Sequence, residues 1–310
     1  MPTPRFLILA LAWLCAMVTA PALARDIVFE PVAPGVYAYI ADTGGRTYDN
    51  DGLNANLGLV VTDAGAVLID SGTSVETARK VAQAVRRVTD QPIRWVINSG
   101  NQDQRWLGNG YFKDNGAEVL GHAAGREFLQ QNGGQFLARL RPVLRDKLRG
   151  TVPTLPTIWL GGADNLLRFG GLQVHVLHRG GGHTPGDVIV WLPAQRVAFA
   201  GDVVYVERML GMNPASRTKP WLASFAALED LQPQVVVPGH GSATTLARAQ
   251  ADTRNLLLAL RSHMGRALQE MQDMDSAVQS FDAAPFKYLR HAEVWLPQLA
   301  NRTYLDMEQE

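Results

Sequence analysis

Apolar positions change their period several times along this chain, and each change marks an element. From Asp26 onward, short runs that alternate or stay apolar predict strands: IVFEPV, VYAYI, ANLGLVV and AVLID. Between the second and third lies ADTGGRTYDNDG, a glycine-rich polar stretch that predicts a long loop, either a cover for a site or a plain connection. The period then becomes helical. Val75, Ala78, Val81, Ala82, Val85 and Val88 form one apolar stripe, with Arg79, Lys80, Arg86 and Arg87 on the wet face. Thr73 and Glu76 are spaced as a capping box that would start this helix just after AVLID.

IRWVIN reads as the next strand, followed by the loop NSGNQDQRWLGNGYF and a further helical stretch. The chain turns helical after Gly121 up to Arg149, and VPTLPTIWL, NLLRF and LQVHVLH follow as strands. VIVWL and RVAFA form a hairpin joined by Pro193, Ala194 and Gln195. A helix around Trp221 to Leu231, the strand QVVVP and a long helical tail from Thr244 complete the pattern. Strands, helix, strand and helices, then the same theme again, favour two mixed sheets packed together with helices outside.

Composition narrows the partners. The 310 residues are 46% hydrophobic and carry 29 basic against 29 acidic side chains, which suits one large domain or one domain with an appendage. Balanced charge without a dense Lys/Arg run offers no footprint for nucleic acid, so the partner is a small molecule or another protein. The first 24 residues differ in kind: Arg5, an apolar stretch from Phe6 to Val18, then Ala22-Leu23-Ala24 before Arg25. That is the pattern of a secretory signal cleaved after Ala24, and the apolar run is short of the roughly 20 residues of a bilayer span. Cys15, the single cysteine, lies inside it. The mature chain would then need no disulfide and no membrane, as expected of a periplasmic protein.

Several polar residues stand immediately after apolar strands, where neighbouring strands bring side chains to one sheet edge. They are Asp70 after AVLI, the loop after IRWVI, His183 in GGGHTPGD, Asp202 in FAGD and His240 in VPGHG. A His, an Asp and a His on three separate strand ends suit a divalent transition metal such as zinc, because imidazole and carboxylate are its usual ligands.

These pieces, in the order VLIDSG, VINS...GNGYF, GGGHTPGD, FAGD and PGHG, resemble the metallo-β-lactamase superfamily of αββα metallohydrolases, over roughly Val36 to Gly241. The exported chain and its closing NRTYLDMEQE look similar to the secreted branch found beside sulfur-oxidation and quinoprotein systems. The resemblance implies an α+β, four-layer αββα sandwich. Residues 1–24 would be the signal, 25–243 the domain and 244–310 a helical C-terminal extension packed on it. It further implies that His183 binds one metal, Asp202 bridges two and His240 binds the second, while Asp70 braces the loop by accepting hydrogen bonds.

The family's remaining ligand motif, HxHxDH, is where this chain departs. Asn98-Ser99, Gly108-Asn109 and Phe112 fix the alignment, and the four functional positions fall on Gly100, Gln102, Gln104 and Arg105. Glycine offers no ligand atom, an amide is a weak donor to zinc, and Gln104 cannot take a proton from metal-bound water. A permanent guanidinium at a ligand position repels a cation. Two readings follow. In the first, one zinc sits between His183, Asp202 and His240, Asp103 turns inward as base and Arg105 holds an anionic group of a small ester, thioester, lactone or amide. In the second, no metal binds and Arg105 pairs with Asp202, because a carboxylate in a dry cleft needs a cation. The corresponding functions are a periplasmic metal-dependent hydrolase, within a quinoprotein-linked redox system and with a protein partner there, or a non-catalytic binding or assembly protein that uses Arg105 to recognise an anion. His122, His175, His178, His263 and His291 read as structural or exposed, and Trp106 and Tyr111 as packing residues.

Overall fold

The computed structural model describes residues 26–310; the expected signal segment, with Cys15, lies outside the described residues. Two sheets face each other. The first has seven strands in sequence order: β1 (Glu30–Ala33), β2 (Val36–Tyr39), β3 (Leu57–Thr62), β4 (Gly65–Ile69), β5 (Ile93–Ile97), β6 (Glu118–His122) and β7 (Ile158–Leu160). The second runs in the order β12 (Val235–His240), β11 (Val197–Tyr205), β10 (Ile189–Leu192), β9 (Leu172–Leu177) and β8 (Asp164–Phe169). The parallel pairs are β4 to β7 in the first sheet and β11 with β12 in the second; the other neighbours are antiparallel.

The near-continuous apolar runs of the central strands follow from burial on both faces. In β4, Val67 and Ile69 join the core between the sheets, while Ala66 and Leu68 pack outward on α1 (Val75–Arg86) through Ala78, Val81 and Val85. In β11, Val197 and Phe199 face the other sheet, and Ala198 and Ala200 face the helices. Gly58 of β3 makes this inter-sheet packing possible: a Cβ there would lie 2.5 Å from Phe199 Cε1. Outside the second sheet, Trp221 and Phe225 of α5 (Thr218–Leu231) pack with the C-terminal helices. These are α6 (Leu246–Ala249), α7 (Asn255–Gln269), α8 (Met274–Gln279) and α9 (Ala292–Glu308). Leu256 and Leu260 of α7 and Leu296 and Leu299 of α9 belong to the same buried cluster, so the C-terminal helices are a layer of the fold.

Two local expectations differ from the structure. The cap of α1 is Ser74, one residue beyond the capping box: its extended backbone (φ −163, ψ 169) lets its side chain accept the Thr77 N–H at 3.1 Å. Thr73 Oγ1 instead donates to the Asp51 carbonyl at 2.6 Å, tying the start of α1 to the glycine-rich loop. Strand β6 escaped the pattern because it is short, opens with a charged residue and ends in Gly121-His122. After it, α4 (Arg126–Leu144) covers the loop that follows β5, with Phe136 edge-on to the buried Trp106 at 6.2 Å between ring centroids.

Candidate functional site

The expected residues converge, although Asp202 lies inside β11 and not at its end. Asp70 follows β4 in a left-handed conformation (φ 67), and Asp202 follows Gly201 (φ 50), where the register between β11 and β12 shifts. Asp70 Oδ1 accepts the Ser99 N–H at 2.7 Å and Oδ2 the Ser99 hydroxyl at 2.6 Å, which holds the loop after β5. That loop then forms a single-turn helix, α2 (Asp103–Trp106), and leads into α3 (Asn109–Asp114). The Arg105 carbonyl is clamped by the Ser71 N–H at 3.0 Å and Asn98 Nδ2 at 2.7 Å, so the side chain leaves from a fixed backbone.

Arg105 runs into the interior and is 1% exposed. Its Nε and Nη2 grip Asp202 as a fork, at 3.2 Å to Oδ2 and 2.6 Å to Oδ1. Its Nη1 donates to Asp70 Oδ2 at 2.8 Å and to the Asn56 carbonyl at 3.0 Å, and Nη2 also donates to the Gly239 carbonyl at 3.2 Å. A guanidinium has five N–H groups, and here each has an acceptor. Burial alone would raise the Asp202 pKa, but Arg105 and the hydrogen bond from His240 outweigh it and hold the carboxyl well below its usual range. For Asp70 burial prevails over Arg105 and Ser99, and its pKa rises to about 6. The two carboxylates thus share one permanent cation, whose own pKa their charges push up against the effect of burial.

The two histidines are neutral. Burial and Arg208 push the His240 pKa down to about 3. Its Nε2 stands 3.3 Å from Asp202 Oδ1, and its Nδ1 lies 3.0 Å from Arg208 Nη1 and 2.7 Å from the Asn54 carbonyl. The neutral ring has a single N–H: on Nδ1 it donates to the Asn54 carbonyl, and on Nε2 it donates to Asp202 and leaves Nδ1 to accept from Arg208. Burial also lowers the His183 pKa. His183 Nδ1 is 2.9 Å from the Gly211 carbonyl, so the proton belongs there and Nε2 carries the lone pair. Asn213 Nδ2 stands 3.4 Å from that lone pair, and Gln102 Oε1 lies 3.0 Å from Nε2, a contact that becomes a hydrogen bond when the Gln102 amide is turned to bring its nitrogen there.

The remaining positions of the loop are also engaged. Asp103 pairs with Arg46 of the glycine-rich loop, and the same guanidinium donates to Gln104 Oε1. Asp103 Oδ1 accepts the Gln104 N–H at 2.9 Å. The expected inward turn of Asp103 is therefore replaced by a bridge to the loop ahead of β3. At Gly100 a Cβ would lie 2.7 Å from Asp187 Oδ1, so this buried carboxyl fills the space a longer side chain would need. Burial, with the nearby Asp202 charge, lifts the Asp187 pKa to about 8. In its protonated form it can donate to the Thr184 hydroxyl it touches while accepting the Thr184 N–H at 2.7 Å.

A zinc ion requires converging lone pairs and an open coordination position. Among the described residues, no three His, Cys, Asp or Glu side chains are grouped to hold a metal. A cation between His183, Asp202 and His240 would meet a guanidinium that already grips both Asp202 oxygens, and a His183 lone pair already met by an amide. In this arrangement the residues present do not fit a zinc at the expected three-ligand centre. The expectation that Arg105 would hold an anionic substrate group is corrected, because its N–H groups are all occupied by the protein.

Beside this cluster lies a cleft of about 660 Å³. His183, His240 and Gln102 line it; among the described residues its charged lining side chains are Arg46, Arg139, Arg208 and Arg302, with no Asp or Glu. Met212, Trp295 and Leu299 supply an apolar side, the last two from α9. Arg46, Arg208 and Trp295 were missed in the sequence because they lie outside the five strand-end motifs. The signal for Arg208 was slight: a charged residue at the end of the apolar run VVYVE, six positions beyond Asp202. Of the other histidines, His122 and His178 stack at 3.9 Å, His263 Nε2 lies 2.8 Å from the Ala277 carbonyl and His291 stacks on Trp295 at 4.7 Å.

Comparison with known proteins agrees with this architecture. A family model described as the Metallo-beta-lactamase superfamily matches residues 50–240. The metallo-beta-lactamase IND-1 of Chryseobacterium indologenes is 23% identical over 228 residues, which are 71% of this chain and 85% of that protein. A linear primary-alkylsulfatase of a Pseudomonas species is 23% identical over 59% of this chain, but the match spans only 40% of that enzyme. Among solved structures, the sec-alkylsulfatase Pisa1 from Pseudomonas sp. has a TM-score of 0.71 at 17% identity, covering 90% of this chain and 50% of that one. The DIM-1 metallo-beta-lactamase has a TM-score of 0.60 at 20% identity, covering 76% and 98%.

Proposed function

The chain belongs to the metallo-beta-lactamase superfamily, and on that premise we propose that it works without a metal, binding a small organic anion in the cleft. Proteins of this family are typically zinc-dependent hydrolases. The observation that carries the different reading is Arg105, whose five N–H groups engage Asp202, Asp70 and two carbonyls. Its charge stands in for the metal charge, and it leaves no water activated for attack.

The cleft itself supports binding of an anion: its charged lining residues are all arginines, with an apolar side toward α9. Two relatives carry the names of alkylsulfatases; an organic anion with an apolar body is the kind of molecule such a cleft suits. We place the protein in the periplasm on the pattern of residues 1–24, and a protein partner in a quinoprotein-linked redox system is its proposed setting. Titration calorimetry with small organic carboxylates and sulfates tests the reading, run on chelator-treated and zinc-supplemented protein. Equal affinity in both, with no ester, lactone or sulfate-ester turnover in either, is the expected result. Turnover that appears only with zinc would restore the one-metal hydrolase.

A further inference from the structure

Arg105 is fully engaged, but a second buried arginine is not. Arg208 is 3% exposed and has no carboxylate within 4.0 Å among the described residues. Its Nη1 meets only the neutral His240 ring, at 3.0 Å, and its Nε is buried with no hydrogen-bond partner. The guanidinium lies 4.8 Å from the Trp295 ring and lines the cleft. A buried charge without a counterion costs stability, so an arginine kept in this state needs a compensating role.

The surrounding backbone is built to keep it there. Glu207, just before it, is held in a left-handed conformation (φ 64). Its N–H donates to Asp252 Oδ2 at 2.8 Å, and its side chain accepts the Ser242 hydroxyl at 3.0 Å. Arg208 forms a β-bridge with Arg290, where Glu207 O accepts the Arg290 N–H at 2.9 Å and Arg290 O the Met209 N–H at 2.9 Å. That bridge fixes the start of α9, which brings Trp295 and Leu299 to the cleft. Strain retained next to an unpartnered cation is the pattern expected of a ligand site.

We propose that Arg208 is the headgroup contact of the cleft, taking the oxyanion of a single-chain organic anion, carboxylate or sulfate, whose apolar body lies along Trp295, Leu299 and Met212. The assignment rests on the anion-binding reading above and names its ligand class. Nη1 is taken by His240 and Nε is buried, so Nη2 is the nitrogen left to meet an oxygen of such a headgroup, as a charge-assisted hydrogen bond. Arg302, on the same wall, also has a buried Nε without a partner, its Nη2 being engaged by the Pro214 carbonyl; it adds positive potential to the same cleft.

The test is binding of octanoate, octyl sulfate, octanol and inorganic sulfate to the metal-free full-length mature protein, below micelle-forming concentrations, by calorimetry and Trp fluorescence. Octanoate, octyl sulfate or both should bind at least about tenfold more tightly than octanol and than inorganic sulfate, and the preferred anion identifies the headgroup. Arg208→Gln should lower anion affinity by about tenfold or more while leaving octanol unchanged. Because it removes an unpaired buried charge, the same variant should melt no lower than the wild type. Trp295→Ala should weaken the octyl anions and not inorganic sulfate. Anions that bind equally well to Arg208→Gln would overturn the assignment while leaving a binding cleft. No anion binding to the wild type would overturn both readings. Octanol binding as tightly as the anions would overturn the headgroup role.

Discussion

Nη2 of Arg105 stands 2.6 Å from Oδ1 of Asp202 and Nε 3.2 Å from Oδ2, a forked ion pair in which both partners are at most 1% exposed. An arginine of the loop after β5 thus reaches across to a carboxylate of β11 in the other sheet. Removing it leaves two carboxylates, Asp202 and Asp70, without their cation. Arg105→Met should therefore lower the unfolding free energy in urea by about 3–5 kcal/mol. Arg105→Lys should recover only part of this, since an ammonium cannot fork. A loss below about 1 kcal/mol in Arg105→Met would show that the pair does not hold the site together.

Gly239 tests the same packing from the other side. A Cβ there would sit 2.5 Å from Arg105 Nη2 and 2.6 Å from Asp202 Oδ1. Gly239→Ala should cost about 1–3 kcal/mol of stability through this overpacking, measured by thermal or urea unfolding. The cost should shrink in an Arg105→Met background, where the obstructing guanidinium is gone.

The raised pKa of Asp187 gives stability a pH dependence of defined sign. Burial puts it at about 8, with the Asp202 charge adding to the rise, whereas an unfolded aspartate titrates near 4. Between those values the folded state holds a proton that the unfolded state has lost, so stability falls as pH rises through this window and levels off above it. Asp187→Asn keeps both contacts to Thr184 and should flatten that fall, most visibly between about pH 6 and 8, where Asp70 has largely titrated. Equal slopes for the two proteins in pH-dependent urea unfolding would contradict it.

Arg46 ties the glycine-rich loop to α2 through Asp103 and Gln104. Arg46→Ala leaves the Asp103 carboxylate buried without this partner and should cost about 1–3 kcal/mol. Amide exchange should quicken at Gly52 and Leu53, whose N–H groups close turns within that loop. Unchanged exchange there would show that other contacts fix the loop.

Much of the fold was legible because its strands are buried on both faces and its motifs keep order. Ile69, Ile97, Val176 and Phe199 carry period and burial together, and the polar residues closing those strands mark one edge. Gly100, Gln102, Gln104 and Arg105 were placed by their flanking residues, and the ion pair of Arg105 with Asp202 was one of two arrangements their charges allowed. The engagement of all five N–H groups was not legible, because Asn56 and Gly239 contribute carbonyls and carbonyls have no sequence signature. Nor was the role of Arg208, which depends on what fails to reach it: a missing counterion is a property of three-dimensional neighbours. Gln102 looked like a weak ligand. It acts instead as the partner of His183, a pairing across 81 residues of chain.

The most direct measurement is the metal content of purified mature protein after zinc loading and removal of free metal. Arg105 in the place of the metals predicts background zinc, below roughly a tenth of an equivalent, and no zinc-dependent rise in melting temperature. One tightly held equivalent of zinc, lost on replacing Asp202 with Asn, would contradict the account.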